Sequence, residues 1–176
     1  MFIYETYGPF PLERDGNKIR KEALTKLWKD IATDHQGLAG AIGVYVLAVR
    51  AKKDSALKPW YVGKTDRQSF KTRFYQQLAR FSDVLDYAKN GTPHVFLLAR
   101  LTPGRKDFKK PTSTALASND ELETMLIASC LKQNERLVNA MKVKHAKEIV
   151  VPGYMNNAPG KLTGSASELN RMVKAK

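Results

Sequence analysis

The 176-residue chain is long enough for one well-packed domain and short for two ordinary ones. Lys and Arg number 30 against 17 acidic residues, and the resulting formal net charge of +13 favours a polyanionic partner. A single cysteine, Cys130, excludes an intrachain disulfide, and the sequence has neither a signal-peptide pattern nor a run of about 18 apolar residues. We therefore expect a cytoplasmic protein that has no membrane partner.

The basic charge is clustered along the chain. Residues 1–40 carry six basic and six acidic side chains, whereas residues 51–80 carry eight basic and two acidic ones. The stretches 99–110 and 130–176 are also strongly basic. Because every phosphate contact releases condensed counterions, such clusters favour binding to a nucleic-acid backbone.

The first half of the chain predicts an arm, a helix and a β-hairpin. Residues 1–12 are rich in aromatic residues and proline, which suits a short edge strand or a packed arm. Residues 18–35 repeat apolar side chains at three- and four-residue spacing, which predicts an amphipathic scaffold helix. The β-branched and aromatic run 42–49 predicts a buried strand, and a polar, basic loop at 50–59 joins it to a second strand around residues 60–62.

Two tyrosines and one arginine stand out in this region. Strand alternation puts Tyr45 on one face with Leu47, and Tyr61 on one face with Gly63, so both phenols share a surface if the register permits. The next helix is predicted over residues 69–81. At about 100° per residue, its Arg73 falls beside the apolar stripe. That position suits a functional arginine or one whose stem only covers apolar surface.

The second half predicts a third strand over residues 94–101 and a basic loop over 102–118. A capping-box pattern, with Ser118 as N-cap and Glu121 three residues later, predicts that a helix begins here and extends to about Gln133.

Glu123 lies within the apolar arc of that helix, whereas Glu121 lies on its polar side. A carboxylate on an otherwise buried face is costly unless it is paired or binds a cation. Glu123 is therefore a candidate functional residue, and a salt bridge in the core is the alternative.

Taken in this order, these features resemble the GIY-YIG nuclease superfamily. The residues that carry the resemblance are Gly43-Val44-Tyr45, Tyr61-Val62-Gly63, Arg73 in the following helix, and Leu122-Glu123 followed by Leu126-Ile127. The resemblance covers roughly residues 42–139. It implies an α/β (α+β) fold, with a small mixed or antiparallel three-stranded sheet flanked by helices. It also implies hydrolysis of DNA phosphodiester bonds with one divalent cation, Mg²⁺ or Mn²⁺.

The resemblance also implies roles for individual residues. Tyr45 matches the first motif's tyrosine, a general base or water-orienting phenol, and Tyr61 matches the tyrosine of the second motif. Arg73 matches the helix arginine, and Glu123 matches the metal-binding glutamate. Asn139 matches a late structural asparagine grouped with the catalytic site.

Several further positions belong to this expectation. Asn134 competes with Asn139 for the late asparagine, and Lys64 follows the second motif directly. A phenol with a pKa near 10 needs a cation or a metal-bound water nearby to act at neutral pH, and Lys64 and Arg73 are the candidate cations. The residues predicted to contact nucleic acid are Lys64, Arg67, Lys71, Lys142, Lys144 and His145.

Other chemistry is weakly supported. Gly63-Lys64-Thr65 has the end of a phosphate-binding loop, but Lys58 stands where that loop requires its first glycine. The three histidines and Cys130 lack the spacing of a zinc site.

Two classes of function follow: a metal-dependent DNA endonuclease, or a non-catalytic nucleic-acid-binding module on the same scaffold. RNA is an alternative substrate, and double-strand cleavage would require a homodimer or two successive nicks. We expect an N-terminal arm and scaffold helix at 1–40, a catalytic core at 41–140 and a basic extension at 141–176, all packed as one unit.

Overall fold

The computed structural model describes residues 1–104 and 106–139, together with residues 143, 164, 165, 168, 169 and 172. The chain divides into two units, Met1–Asn139 and Ala140–Lys176. In the described part of the first unit the elements are β1 (Tyr4–Pro11), α1 (Lys21–Asp34), β2 (Gly43–Arg50), β3 (Leu57–Thr65), α2 (Phe70–Gln76), α3 (Leu78–Tyr87), β4 (Thr92–Arg100) and α4 (Ala117–Gln133). None of the described helices combines the length and hydropathy that a membrane span requires.

The sheet has four strands in the order β1-β4-β2-β3, and all neighbouring strands are antiparallel. The three predicted strands are present as β2, β3 and β4. The sheet has one strand more than the predicted three, because the N-terminal segment, predicted as an edge strand or a packed arm, pairs along β4 as an edge strand. An edge strand tolerates Pro9 and Pro11, since the side facing away from β4 needs no backbone donor.

Residues 1–40 are part of the first unit, since β1 extends its sheet and the side chains of α1 join its core. The predicted extension 141–176 falls in the second unit, and nearly all of it lies outside the described residues.

The core lies between the sheet and the first three helices. All residues of β2 from Gly43 to Val49 are buried, in agreement with the predicted continuous apolar strand. Trp28 of α1 lies edge-on to Phe74 of α2 at 5.2 Å between ring centroids, and Phe74 in turn lies 4.9 Å from the ring of Tyr45 on β2. The tyrosine of the first motif is therefore part of the hydrophobic core.

The register of the β2–β3 hairpin brings the two motifs together. Tyr45 lies opposite Gly63, and Leu47 lies opposite Tyr61. Directly opposed residues of an antiparallel pair point to the same face. Both phenols therefore share a face, as the alternation pattern predicted, and their ring centroids are 6.1 Å apart.

The predicted helix 69–81 is divided into two in the structure. Ser69 caps α2 by accepting a hydrogen bond from the Thr72 backbone N–H at 3.2 Å. The chain then leaves helical geometry at Gln77, and α3 continues to Tyr87. The apolar stripe survives the break, because Phe70, Phe74 and Phe81 are all fully buried.

The start of α4 also differs from the prediction. Ser118 lies inside the first turn, after an N-cap at Leu116, and its hydroxyl accepts a hydrogen bond from Arg100 at 2.9 Å. The capping-box prediction was therefore wrong, because a long-range contact takes the serine side chain. Met125, one of the apolar residues of this helix, is 67% exposed.

Candidate active site

A cleft of about 350 Å³ opens where β3 ends and the chain turns into α2. It is lined by Tyr61, Lys64, Thr65, Asp66, Arg67, Gln68, Arg73 and Glu123. Four predicted catalytic residues are in this lining, although they come from β3, α2 and α4. Helix α4 reaches the cleft because it packs directly on β3.

Tyr45 lies behind Tyr61 and away from solvent. Its side chain is fully buried, and it is absent from the described residues that line the cleft. A Cβ atom at Gly63 would lie only 2.5 Å from both the ring carbon Cζ and the hydroxyl of Tyr45. The glycine of the second motif is therefore needed to make room for the tyrosine of the first.

The Tyr45 hydroxyl is buried without a formed hydrogen bond to any described residue. Tyr61 and Arg73 influence its ionisation by charge and by close polar approach, although neither approach has the geometry of a regular hydrogen bond. Burial raises the pKa of this phenol well above its ordinary value, Tyr61 raises it further, and the positive charge of Arg73 lowers it. Tyr45 is therefore a neutral phenol at neutral pH.

Tyr61 has the same neighbours but faces the cleft. Burial raises its pKa, while the Tyr45 hydroxyl and the Arg73 charge lower it. The carboxylate of Glu123, which lines the same cleft, raises this pKa. Arg73 is thus the cation that favours the phenolate at both tyrosines.

Lys64 is less available than the sequence suggested. Its ammonium group lies 3.1 Å from Asp66 and 3.3 Å from Asp120. Partial burial lowers the pKa of Lys64, but the two carboxylates outweigh that effect and the pKa is raised overall. Lys64 therefore stays protonated, with its charge balanced by two acidic partners.

Asn119 is a site residue that the sequence interpretation missed. It is fully buried, and its amide donates to the carboxylate of Asp66 at 2.6 Å and to the Thr65 carbonyl at 3.2 Å. Its amide oxygen accepts from the Tyr4 hydroxyl at 2.5 Å. These bonds tie the start of α4 to the end of β3 and hold the partner of Lys64. The sequence pattern around Asn119 was interpreted as a capping box formed by Ser118 and Glu121, which gave Asn119 no role.

Glu123 is half-buried in the cleft lining. No group of three or more His, Cys, Asp or Glu side chains in the described part of the chain is arranged to hold a metal ion. The site therefore does not fit a zinc-type centre made of protein ligands alone. One carboxylate facing an open cleft does fit Mg²⁺, which keeps most of its water ligands and takes phosphate oxygens as others.

The two late asparagines support β3 from its outer edge. Asn139 accepts from the Val62 backbone N–H at 2.9 Å and donates to the Val62 carbonyl at 2.5 Å. Asn134 donates to the Pro59 carbonyl at 2.7 Å. Both side chains therefore replace a missing strand neighbour, and Asn139 is the one placed beside the second motif.

The predicted nucleic-acid contacts are only partly described. Lys64 and Arg67 line the cleft, and Lys71 is exposed on α2. Lys142, Lys144 and His145 lie outside the described residues.

Comparisons with protein-family models, with curated proteins and with solved structures found no significant match. Any assignment of function therefore depends on the geometry of the cleft.

Removing the Tyr45 hydroxyl tests whether it is unpaired. We expect Tyr45→Phe to leave the free energy of unfolding unchanged or raise it by up to about 1–2 kcal/mol, because a buried polar group without a partner is destabilising. Tyr4→Phe is the matched control: it breaks the bonds to Asn119 and Ser118 and should cost about 1–3 kcal/mol. Urea unfolding of both variants measures the difference. An equal loss in both would contradict the unpaired assignment.

Proposed function

We propose that the protein is a divalent-metal-dependent endonuclease that hydrolyses DNA phosphodiester bonds at a single GIY-YIG-type site. The observation that supports this most is that Tyr61, Arg73 and Glu123, from three separate elements, line one cleft with Tyr45 directly behind them. A phenol, a guanidinium and a carboxylate provide a proton-transfer group, fixed positive charge and a metal ligand. Metal-assisted phosphodiester hydrolysis can use each of the three.

The metal ion would be Mg²⁺ or Mn²⁺, with Glu123 as its protein ligand. Such an ion neutralises charge on the phosphate when it is bound. The protein's own contribution is to hold the Glu123 carboxylate at the cleft, on a helix fixed to β3 by Asn119.

Arg73 supplies the fixed positive charge. Its Nε is buried and forms no hydrogen bond to a described residue, so contact with a phosphate in the cleft falls to the terminal guanidinium nitrogens. The same side chain lines the cleft. We therefore assign Arg73 to the non-bridging oxygens of the scissile phosphate, whose negative charge grows in the transition state.

The two tyrosines take different roles. Tyr61 lines the cleft and is the phenol within reach of an attacking water. Tyr45, which the resemblance made the base, has no access to the cleft and acts through Tyr61 as a positioning residue. Its ring packs against the inner side of the Tyr61 ring, with 6.1 Å between the ring centroids.

The alternative is a non-catalytic nucleic-acid-binding module, in which the basic side chains bind a backbone and the cleft is inactive. The presence of Tyr61, Arg73 and Glu123 in one cleft favours the enzyme. RNA is a second substrate class to assay, and because one site cuts one bond, double-strand cleavage would need a homodimer or two nicks. We also propose that the protein is cytoplasmic.

Glu123 is the direct test of the metal role. Glu123→Ala should reduce Mg²⁺-dependent nicking of plasmid DNA by about 100-fold or more, a loss typical of removing a transition-state electrostatic group. Binding to DNA should be retained, and a chelator should stop the unmodified protein. Glu121→Ala, an exposed carboxylate two residues away, is the control and should cut normally. Full activity in Glu123→Ala would remove the assigned role.

The pH dependence of cleavage tests the phenol. Since burial raises the pKa of Tyr61 above its ordinary value near 10, less than about 1 in 1,000 phenols is ionised at pH 7. Each added pH unit below that pKa raises the phenolate fraction about tenfold. The single-turnover rate should therefore climb up to tenfold per unit between about pH 6 and 9.

Tyr61→Phe should slow the reaction and flatten this profile. Retention of the full slope in Tyr61→Phe would show that another group ionises.

A further inference from the structure

A second and larger cleft, of about 770 Å³, lies beside β1 and the loop that follows β4. Its lining is Glu5, Tyr7, Gln36, Gly37, Leu101, Thr102, Lys106, Asp107, Phe108, Lys109, Lys110 and Pro111. We call it the basic–aromatic cleft. None of the residues assigned to catalysis lies in it.

The basic–aromatic cleft and the candidate active site open at the same end of the sheet. Glu5 is opposite Ala99, Ala99 is opposite Gly43, and Gly43 is opposite Thr65. These four residues form one row across the sheet, with Glu5 and Thr65 at its two ends. Glu5 lines the basic–aromatic cleft, and Thr65 lines the candidate active site. With neighbouring strands about 4.8 Å apart, three spacings separate them by roughly 14 Å.

The loop after β4 joins the two clefts. Pro111 lines the basic–aromatic cleft, and the next residue, Thr112, donates its backbone N–H to the Asp66 carbonyl at 2.9 Å. Asp66 lines the candidate active site. The backbone therefore runs directly from the lining of one cleft to the lining of the other.

The chemistry of the basic–aromatic cleft matches a nucleotide strand. Lys106, Lys109 and Lys110 outnumber its two carboxylates, and the half-buried rings of Tyr7 and Phe108 lie 5.6 Å apart. The Glu5 carboxylate accepts a hydrogen bond from the Tyr7 hydroxyl at 2.5 Å, so one of its oxygen atoms already has a donor. In proteins that bind single strands, lysines contact the phosphates and neighbouring aromatic rings stack on the bases, with little sequence preference.

The loop that carries the lysines is held in place by its backbone. The Lys109 N–H donates to the Arg100 carbonyl at 2.8 Å, and the Ile42 N–H donates to the Lys109 carbonyl at 3.0 Å. The Phe108 ring packs on the turn at Gly37, where a Cβ would be 3.4 Å away. These contacts hold Phe108 and the Lys109 backbone in place before a ligand binds, which lowers the entropic cost of binding.

We propose that the basic–aromatic cleft binds the single-stranded flank of the nucleic-acid substrate, on one side of the scissile phosphate only. The lysines contact the flank's phosphates, and Tyr7 and Phe108 offer a surface for a base. This inference rests on the proposed function for its polymer, and it adds a substrate preference: a duplex with a single-stranded extension of one polarity.

Binding measurements on the cleavage-inactive Glu123→Ala chain test it without requiring catalysis. Fluorescence anisotropy compares labelled DNA duplexes that carry no extension or a 3′ or 5′ extension of about four or about eight nucleotides. Affinity should increase with the extension of one polarity. Replacing both Lys106 and Lys110, which are exposed, by alanine should remove that increase. The dependence of log K on log salt should also become shallower by about 1.4, or about 0.7 for each lost single-strand contact.

The control removes the same charge elsewhere. Lys52→Ala with Lys53→Ala lies in the exposed loop between β2 and β3, at the opposite end of the sheet, and should preserve the extension effect. The proposal would be overturned in favour of a general charge effect if this control lost the extension-dependent affinity to the same extent. It would also be overturned if heparin displaced the DNA equally well from both double variants. Affinities that ignore the extension would overturn it as well.

The outcomes separate the two proposals. Extension-dependent binding, together with no cutting of any substrate by the unmodified protein, would support the flank site and contradict the nuclease. Metal-dependent cutting that is indifferent to Lys106 and Lys110 would do the reverse.

Discussion

The close packing of the Tyr45 ring on Gly63 is the constraint on which the site depends. The antiparallel register puts these two residues opposite each other, and only a residue without a Cβ leaves space for the ring and its hydroxyl. The ring then fills the core against Phe74 and Phe81, while Tyr61 takes the outer position on the same face. The buried hydroxyl lies near Tyr61 and Arg73, and both side chains influence its ionisation.

Strand β3 carries the second motif, and polar side chains fix it on two sides. Asn134 and Asn139 bond its outer edge, and Asn119 joins its end to the start of α4. An edge strand would otherwise expose unpaired backbone groups and vary in position. Because α4 carries Glu123, the same bonds also set the distance between the carboxylate and the phenol. Structural asparagines thus determine the geometry of a site in which none of them need touch the substrate.

Much of this arrangement was predictable from local pattern. The β2 run, the shared face of Tyr45 and Tyr61, and the half-buried position of Glu123 all follow from the period of strand or helix. The capping-box error arose where a long-range contact overrides local preference, because Ser118 bonds Arg100 instead of capping α4. Of the two predictions for residues 1–12, an edge strand or a packed arm, the structure shows the edge strand, which pairs with β4. Likewise, no spacing rule shows that Asp66 and Asp120 balance Lys64, since the three meet only in the folded chain.

The position of the metal ion is the most direct test of the account. Crystals of the protein with Mn²⁺ and a DNA strand that resists cleavage, examined by anomalous scattering, would locate it. We expect one peak within about 2.2 Å of a Glu123 carboxylate oxygen, in the cleft beside Tyr61 and Arg73, with a phosphate oxygen as a further ligand. A peak held by Asp66 or Asp120, with Glu123 turned away from it, would contradict the proposed site.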